Sequence, residues 1–170
     1  MKVSVIIPSL NPDNKLVAVV DALLEEGFKD IIIVNDGSDE EHMAPFNEVA
    51  AHSECTILTH EVNKGKGRGL KTAFEFCLEN RKDIDGVVTV DGDNQHRAKD
   101  IKKCSETMVG TGNVVLGVRD FTGDDVPARS KFGNNMTSGV FKVLCRLKIS
   151  DTQTGLRAIP CLLYTSPSPR

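Results

Sequence analysis

A chain of 170 residues that is 39% hydrophobic and 26% charged can bury one ordinary core, which excludes a fibrous or disordered protein and makes one domain the default. A net charge of −3 excludes nucleic-acid binding through bulk positive charge, so any anionic ligand has to be held by a local basic cluster. The five cysteines, Cys55, Cys77, Cys104, Cys145 and Cys161, show neither a CxxC pair nor metal-ligand spacing, and their odd number reads as reduced thiols in a cytosolic compartment.

In chain order, Val3 to Ile7 predicts a buried strand that ends at Pro8. The apolar start is interrupted by Pro8, Asn11 and Pro12 too soon for a signal-peptide core, and no apolar run reaches membrane-spanning length. Lys15 to Gly27 carries Leu16, Val19, Val20, Leu23 and Leu24 at helical spacing and stops at glycine. Ile31 to Val34 is a second buried strand, closed by Asn35-Asp36-Gly37-Ser38. A helix over Glu40 to His52 and a strand over Thr56 to Thr59 follow. Lys64 to Gly69 reads as a basic glycine-rich loop leading into a helix from Leu70 to Glu79. Val87 to Val90 is the fourth strand and runs directly into Asp91-Gly92-Asp93. A helix over Lys99 to Val109 and a strand over Val114 to Val118 complete the alternation.

Strict strand-helix alternation predicts an α/β fold with a mostly parallel sheet covered on both faces. In such sheets ligands bind beyond the carboxyl ends of the strands, and the polar segments after Ile7, Val34, Val90 and Val118 all fall there. From Pro127 to Lys148 the pattern changes to a basic amphipathic helix, with Phe132, Met136, Val140, Val143, Leu144 and Leu147 as its apolar stripe. The final ten residues, Cys161 to Arg170, break into a Ser-Pro tail without periodicity, similar to the translation of a sequencing-library adapter. We therefore expect one domain over 1–160, cut short at its C-terminus, and a non-native tail over 161–170.

Asp91 and Asp93 stand two residues apart after an apolar strand, with Gln95 two further on. Hard divalent ions take oxygen ligands, and Mg²⁺ or Mn²⁺ on a diphosphate needs only one or two protein carboxylates. The plainer reading is a polar turn whose carboxylates cap the next helix. His96 next to this segment reads as a helix-entry or packing residue. Asp36 places a carboxylate where a base or ribose would lie, although a tight turn accounts for Asp36-Gly37-Ser38 equally well. Lys64-Gly-Lys-Gly-Arg-Gly69 offers amides and positive charge to phosphate, but lacks the spacing of a P-loop or a dinucleotide fingerprint. A flexible basic loop explains it as well.

Six segments in order carry a resemblance: Val3-Ser-Val-Ile-Ile-Pro-Ser-Leu-Asn-Pro12, Val34-Asn-Asp-Gly-Ser38, Asn63-Lys-Gly65, Val90-Asp-Gly-Asp-Asn-Gln-His96, Gly117-Val-Arg119 and Asp151-Thr-Gln-Thr-Gly-Leu-Arg157. Together they resemble family 2 glycosyltransferases of the GT-A fold, a three-layer sandwich, and are similar to the dolichol-phosphate mannose synthase branch. The resemblance implies that Pro8, Asn11 and Asp36 border the nucleoside, with Lys64 and Arg68 beside the nucleotide sugar. It makes Asp91, Asp93 and Gln95 the metal-diphosphate site for Mg²⁺ or Mn²⁺, and gives phosphate oxygens to Arg119, Arg129 and Arg157. Asp93, Arg119 and Arg157 are then the residues nearest the chemistry. One departure is Ser9-Leu-Asn-Pro12, where the family usually has an aromatic and an acidic residue.

The implied reaction is inverting transfer of a sugar from a UDP- or GDP-linked donor to a polyprenyl phosphate, at the cytoplasmic face of a membrane. An acceptor phosphate with a second pKa near ~6 is already ionised at neutral pH, so it needs charge screening more than a general base. Arginines supply that through paired hydrogen bonds. A sugar-nucleotide nucleotidyltransferase is the first alternative, but that class favours basic glycines directly after the first strand, where this chain has Pro8-Ser-Leu-Asn-Pro12. A non-catalytic module that binds nucleotide or membrane is the second.

Overall fold

The computed structural model describes residues 1–118 and 154–161. Its strands are β1 (Val3–Ser9), β2 (Ile31–Asp36), β3 (Cys55–His60), β4 (Gly86–Thr89), β5 (Val115–Leu116) and β6 (Arg157–Pro160). They form one sheet in the order β3-β2-β1-β4-β6-β5. The pairs among β1, β2, β3 and β4 are parallel, whereas β6 runs antiparallel to both β4 and β5. The mostly parallel sheet is as expected. The reversed strand β6 was absent from the sequence reading, because Arg157-Ala-Ile-Pro160 is too short to show a period.

Helices α1 (Lys15–Glu25), α2 (Ala44–Val49), α3 (Lys66–Asn80) and α4 (Ala98–Thr111) connect the strands. Successive strand side chains point to opposite faces, and the burial follows that period. Val5, Ile7, Ile31, Ile33, Val88 and Val90 face one core, shared with Leu16, Val20 and Leu23 of α1, Phe46 of α2 and Ile101 and Met108 of α4. Ile6, Ile32, Val34 and Val87 face the other, shared with Ala73 and Cys77 of α3. The result is three layers, with α1, α2 and α4 on one side of the sheet and α3 on the other. The β-branched runs suit strands buried on both faces, and each such side chain taken from water contributes about 1.5–3 kcal/mol.

Three boundaries differ from expectation. The segment expected as one helix over Glu40 to His52 splits into a 3₁₀ turn at Glu40–His42 and α2, with Pro45 in the first turn of α2, where its missing N–H costs nothing. The last parallel strand shrinks to Val115–Leu116, and Val114 and Val118 are exposed. The glycine-rich stretch is not a long loop: Gly65, at φ +87°, caps α3, which already includes Lys66 and Gly67. The amphipathic helix expected over 127–148 and, apart from Cys161, the tail expected over 161–170 lie outside the described residues.

Packing of β6 onto β4 requires a glycine at position 86, since an added Cβ there would stand 2.5 Å from the Ile159 carbonyl and 2.7 Å from Met108 Sδ. Gly86→Ala is expected to destabilise the fold by about 1–3 kcal/mol, measured by urea unfolding.

Candidate active site

The parallel strands β1 to β4 all end on one edge, so the segments after Ser9, Asp36, His60 and Thr89 gather there. Because β6 is antiparallel, its first residue, Arg157, opposite Thr89, comes to the same edge. A groove of about 300 Å³ runs along it, lined by Pro8, Ser9, Asn11, Lys15, Gly92 and Asp93 among others. A larger cavity of about 600 Å³ opens at the opposite edge. There Arg81 is already committed, its Nε donating to both Asp30 oxygens at 3.1 and 3.0 Å.

Asp36 ends β2 with its carboxylate almost wholly buried. Its Oδ1 lies 2.6 Å from His60 Nδ1 and accepts the Lys64 amide at 2.9 Å, while Oδ2 accepts the Gly65 amide at 2.8 Å. His60 Nε2 in turn lies 2.9 Å from Thr72 Oγ1 on α3. Burial by itself raises the Asp36 carboxyl, but the hydrogen bonds from His60 and from the two amides outweigh it and hold the group below its ordinary value. Three of the roughly four acceptor sites of this carboxylate are therefore filled by the protein. The geometry makes Asp36 the anchor of the β3–α3 loop. The adjoining turn is closed instead by Asn35, whose Oδ1 accepts the Ser38 amide at 2.9 Å.

Asn11 is likewise engaged. Its Nδ2 donates to Asp39 Oδ2 and its Oδ1 accepts the Asp39 amide, both at 2.9 Å, which staples the β1 loop to the β2 loop. Pro8 lies beyond the last residue pair of β1 with β4, Ile6 with Thr89, so its missing N–H breaks no ladder on that side.

Asp91 is half-buried and its Oδ1 meets the Lys66 ammonium. Against its other side lies the backbone of Gly155, where an added Cβ would fall 2.1 Å from Asp91 Oδ2. The Gly155 carbonyl accepts a hydrogen bond from Thr89 Oγ1 at 2.8 Å, so the segment before β6 is tied directly to the strand that carries the carboxylates. Asp93 is exposed, and its Oδ1 accepts the Gln95 amide at 3.1 Å in a turn helped by Asn94 at φ +61°. Helix capping does not account for these carboxylates: α4 begins at Ala98, after Arg97, with no side-chain cap. His96 lines a separate groove with Asp100, Lys103 and Leu156.

The basic residues distribute differently from expectation. Arg68 leans along α3 toward Glu75, 3.8 Å away. Lys66 takes the place beside Asp91, because helical geometry sets residues two apart about 200° apart around the axis. Lys64 contributes its backbone amide to Asp36. Arg157 Nε donates to the Thr154 carbonyl at 3.1 Å. Arg119 and Arg129 lie outside the described residues. Sequence reasoning named Lys66 and Gly155 only within longer segments and passed over His60 and Thr72. For Lys66 the available signal was the Asn63-Lys-Gly65 stop before it, which marks a helix start.

As to a divalent cation, the described residues carry two carboxylates on one loop, Asp91 and Asp93, and no group of three or more His, Cys, Asp or Glu side chains that could hold a metal. Two hard oxygen donors fit an Mg²⁺ or Mn²⁺ ion that shares its coordination with a diphosphate, and Asp91 Oδ1 is paired here with the Lys66 ammonium. Burial pushes the Cys55 and Cys77 thiols up to about 11, so neither is a thiolate nucleophile at neutral pH.

This architecture is that of the GT-A glycosyltransferases. The model of the family described as Glycosyl transferase family 2 matches residues 4–158, and the chain belongs to that family. It is 28% identical over 172 residues to a UDP-N-acetylglucosamine–dolichyl-phosphate N-acetylglucosaminyltransferase of Methanococcus voltae, covering 90% of this chain and 67% of the relative. Glycosyltransferase AglJ of Haloferax volcanii is 22% identical over 158 residues, 92% of this chain and 49% of its own length. The crystal structure of glucosyl-3-phosphoglycerate synthase from Mycobacterium tuberculosis in complex with Mn²⁺, UDP and glucosyl-3-phosphoglycerate shares the fold, with a TM-score of 0.69 at 16% identity over 94% of this chain and 56% of that one. The chain thus spans 49% to 67% of the length of these three proteins.

A carboxyl whose folded-state pKa is depressed adds stability that is fully present above its unfolded value and is lost as pH falls through the lower folded value. Asp36→Asn is therefore expected to cost about 1–3 kcal/mol at neutral pH. In urea unfolding followed into the acid range, the gap between wild type and variant should narrow as pH drops below 3.8.

Proposed function

We propose that this chain binds a nucleoside-diphosphate sugar at the carboxyl edge of its sheet, as the donor-binding part of an enzyme that transfers the sugar to a polyprenyl phosphate with inversion. The observation that carries the reading is the meeting of Asp91 with Lys66 and the Gly155 backbone, on the same loop as Asp93. Family membership supports the sugar transfer, and the Methanococcus voltae relative supports a polyprenyl phosphate acceptor. UDP is the first nucleotide to test, since it is named for both that relative and the Mycobacterium tuberculosis structure.

In this reading Asp91 and Asp93, with Gln95 beside them, would hold Mg²⁺ or Mn²⁺, which when bound offsets charge on the leaving diphosphate. The chain's own groups do the rest. Pro8 and Asn11 shape the nucleoside side of the groove, and Asp36 would border the nucleoside from the end of β2. Lys66 and the free amides at the start of α3 face the diphosphate with positive charge. Arg157, together with Arg119 and Arg129, screens phosphate oxygens on donor and acceptor. The acceptor phosphate is already ionised, so alignment is what the site has to supply. The protein would work at the cytoplasmic surface of a membrane, where such an acceptor is found.

Calorimetric titration of UDP and GDP, with and without Mn²⁺, tests this. Metal-dependent binding that disappears in Asp91→Ala/Asp93→Ala is expected. Failure of a folded wild-type chain to bind either nucleotide would overturn the reading.

A second variant addresses the backbone contact. Gly155→Ala forces the Asp91 carboxylate aside, and should weaken Mn²⁺-dependent nucleotide binding by about tenfold or more, equivalent to at least about 1.4 kcal/mol.

A further inference from the structure

We infer that His60 and Thr72 are positioning residues of the nucleotide site, acting through Asp36 to fix the start of α3 and hence the Lys66 ammonium at Asp91. The inference rests on the carboxyl edge being the nucleotide site.

Each link in the path is a hydrogen bond or an ion pair. Thr72 sits nearly two turns into α3 and holds His60 Nε2 at 2.9 Å. His60 ends β3, is 7% exposed, and presents Nδ1 to Asp36 Oδ1 at 2.6 Å. Asp36 grips the Lys64 and Gly65 amides, and the Gly65 carbonyl accepts the Arg68 and Gly69 amides, which starts the helix. Lys66 is the next residue, and its ammonium meets Asp91.

The proton arrangement follows from the chemistry. An ionised Asp36 only accepts, so His60 Nδ1 carries a proton toward it. In the neutral ring Nε2 is then an acceptor, and the Thr72 hydroxyl donates to it. Both ring nitrogens are thereby used, and the ring cannot rotate without breaking a buried bond. Without His60, Asp36 would retain its two amides but lose the contact that orients its carboxylate. Gly65, with a backbone free to leave φ +87°, would then let the helix start move. Lys66 is on a flexible stem, so its place at Asp91 depends on where that first turn is held.

The experiment uses the whole chain and three variants. His60→Phe keeps the ring volume and removes both bonds. His60→Asn restores a donor near the Nδ1 position. Thr72→Val, at a half-buried site, removes only the outer bond and is a safeguard should the histidine variant fail to fold. Two readouts are taken, well below each variant's unfolding temperature. Amide hydrogen exchange at Lys64 and Gly65 reports on the helix start, and calorimetry with UDP and Mn²⁺ reports on the site.

We expect His60→Phe to speed exchange at both amides and to weaken UDP–Mn²⁺ binding about tenfold. Thr72→Val should do both to a smaller degree, and His60→Asn should recover most of the loss. In a Lys66→Met background, His60→Phe should add little further loss, since both act on the same contact. A purely structural histidine would lower the unfolding temperature while leaving exchange at these amides and nucleotide affinity unchanged, and that result overturns the inference. So does a His60→Phe loss that multiplies fully with Lys66→Met. If wild type binds no nucleotide, the proposed function falls and this inference falls with it. If wild type binds and His60→Phe binds equally well, only the inference falls.

Discussion

The Asp36 carboxylate is an ionised group placed at the buried end of a strand, and a charge in that position is tolerable only if it is fully hydrogen-bonded. His60 and the amides of Lys64 and Gly65 meet that demand. The requirement has a structural consequence, because the donors come from β3 and from the loop after it. Satisfying one carboxylate therefore ties the ends of β2 and β3 to the first residues of α3. Helix α3 is thus held by electrostatics at its start and by Ala73 and Cys77 packing on the sheet along its length.

A second convergence depends on the first. Asp91 leaves the end of β4 between two partners that come from distant parts of the chain, Lys66 from α3 and Gly155 from the segment before β6. Reversal of β6 brings Gly155 there, and Thr89 Oγ1 fixes it. Asp91 is consequently set by long-range contacts on both sides, whereas Asp93 is held by its own turn. The same arrangement places positive charge at the carboxyl edge of an acidic chain. Lys66, Arg157 and a helix N-terminus gather at one edge.

Much of this was legible in the chain itself. The runs Val3–Ile7, Ile31–Val34 and Val87–Val90 could only be strands buried on both faces, and their alternation with helices dictated a parallel sheet with its polar segments on one edge. Asp36, Asp91 and Asp93 were identifiable as carboxylates at strand ends, and all three lie where a parallel sheet requires. Local patterns of this kind survive folding because the period of apolar residues and the positions of glycine and proline act over only a few residues.

Tertiary structure decided which partner each polar side chain took. The resemblance set Lys64 and Arg68 beside the nucleotide sugar; in the fold, the point at which α3 begins turns Arg68 toward Glu75 and puts Lys66 at Asp91. Asn11 and Asp36 read as ligand contacts, and in the fold they mainly brace neighbouring loops, because their donors and acceptors lie 24 to 29 residues away. Gly155 looked like one residue of a motif, and its missing side chain proved to be the space that Asp91 occupies. Apolar periodicity is a local property and fixes the layers. Hydrogen-bond and ion-pair choice depends on distances between residues far apart in sequence, which exist only once the sheet has assembled.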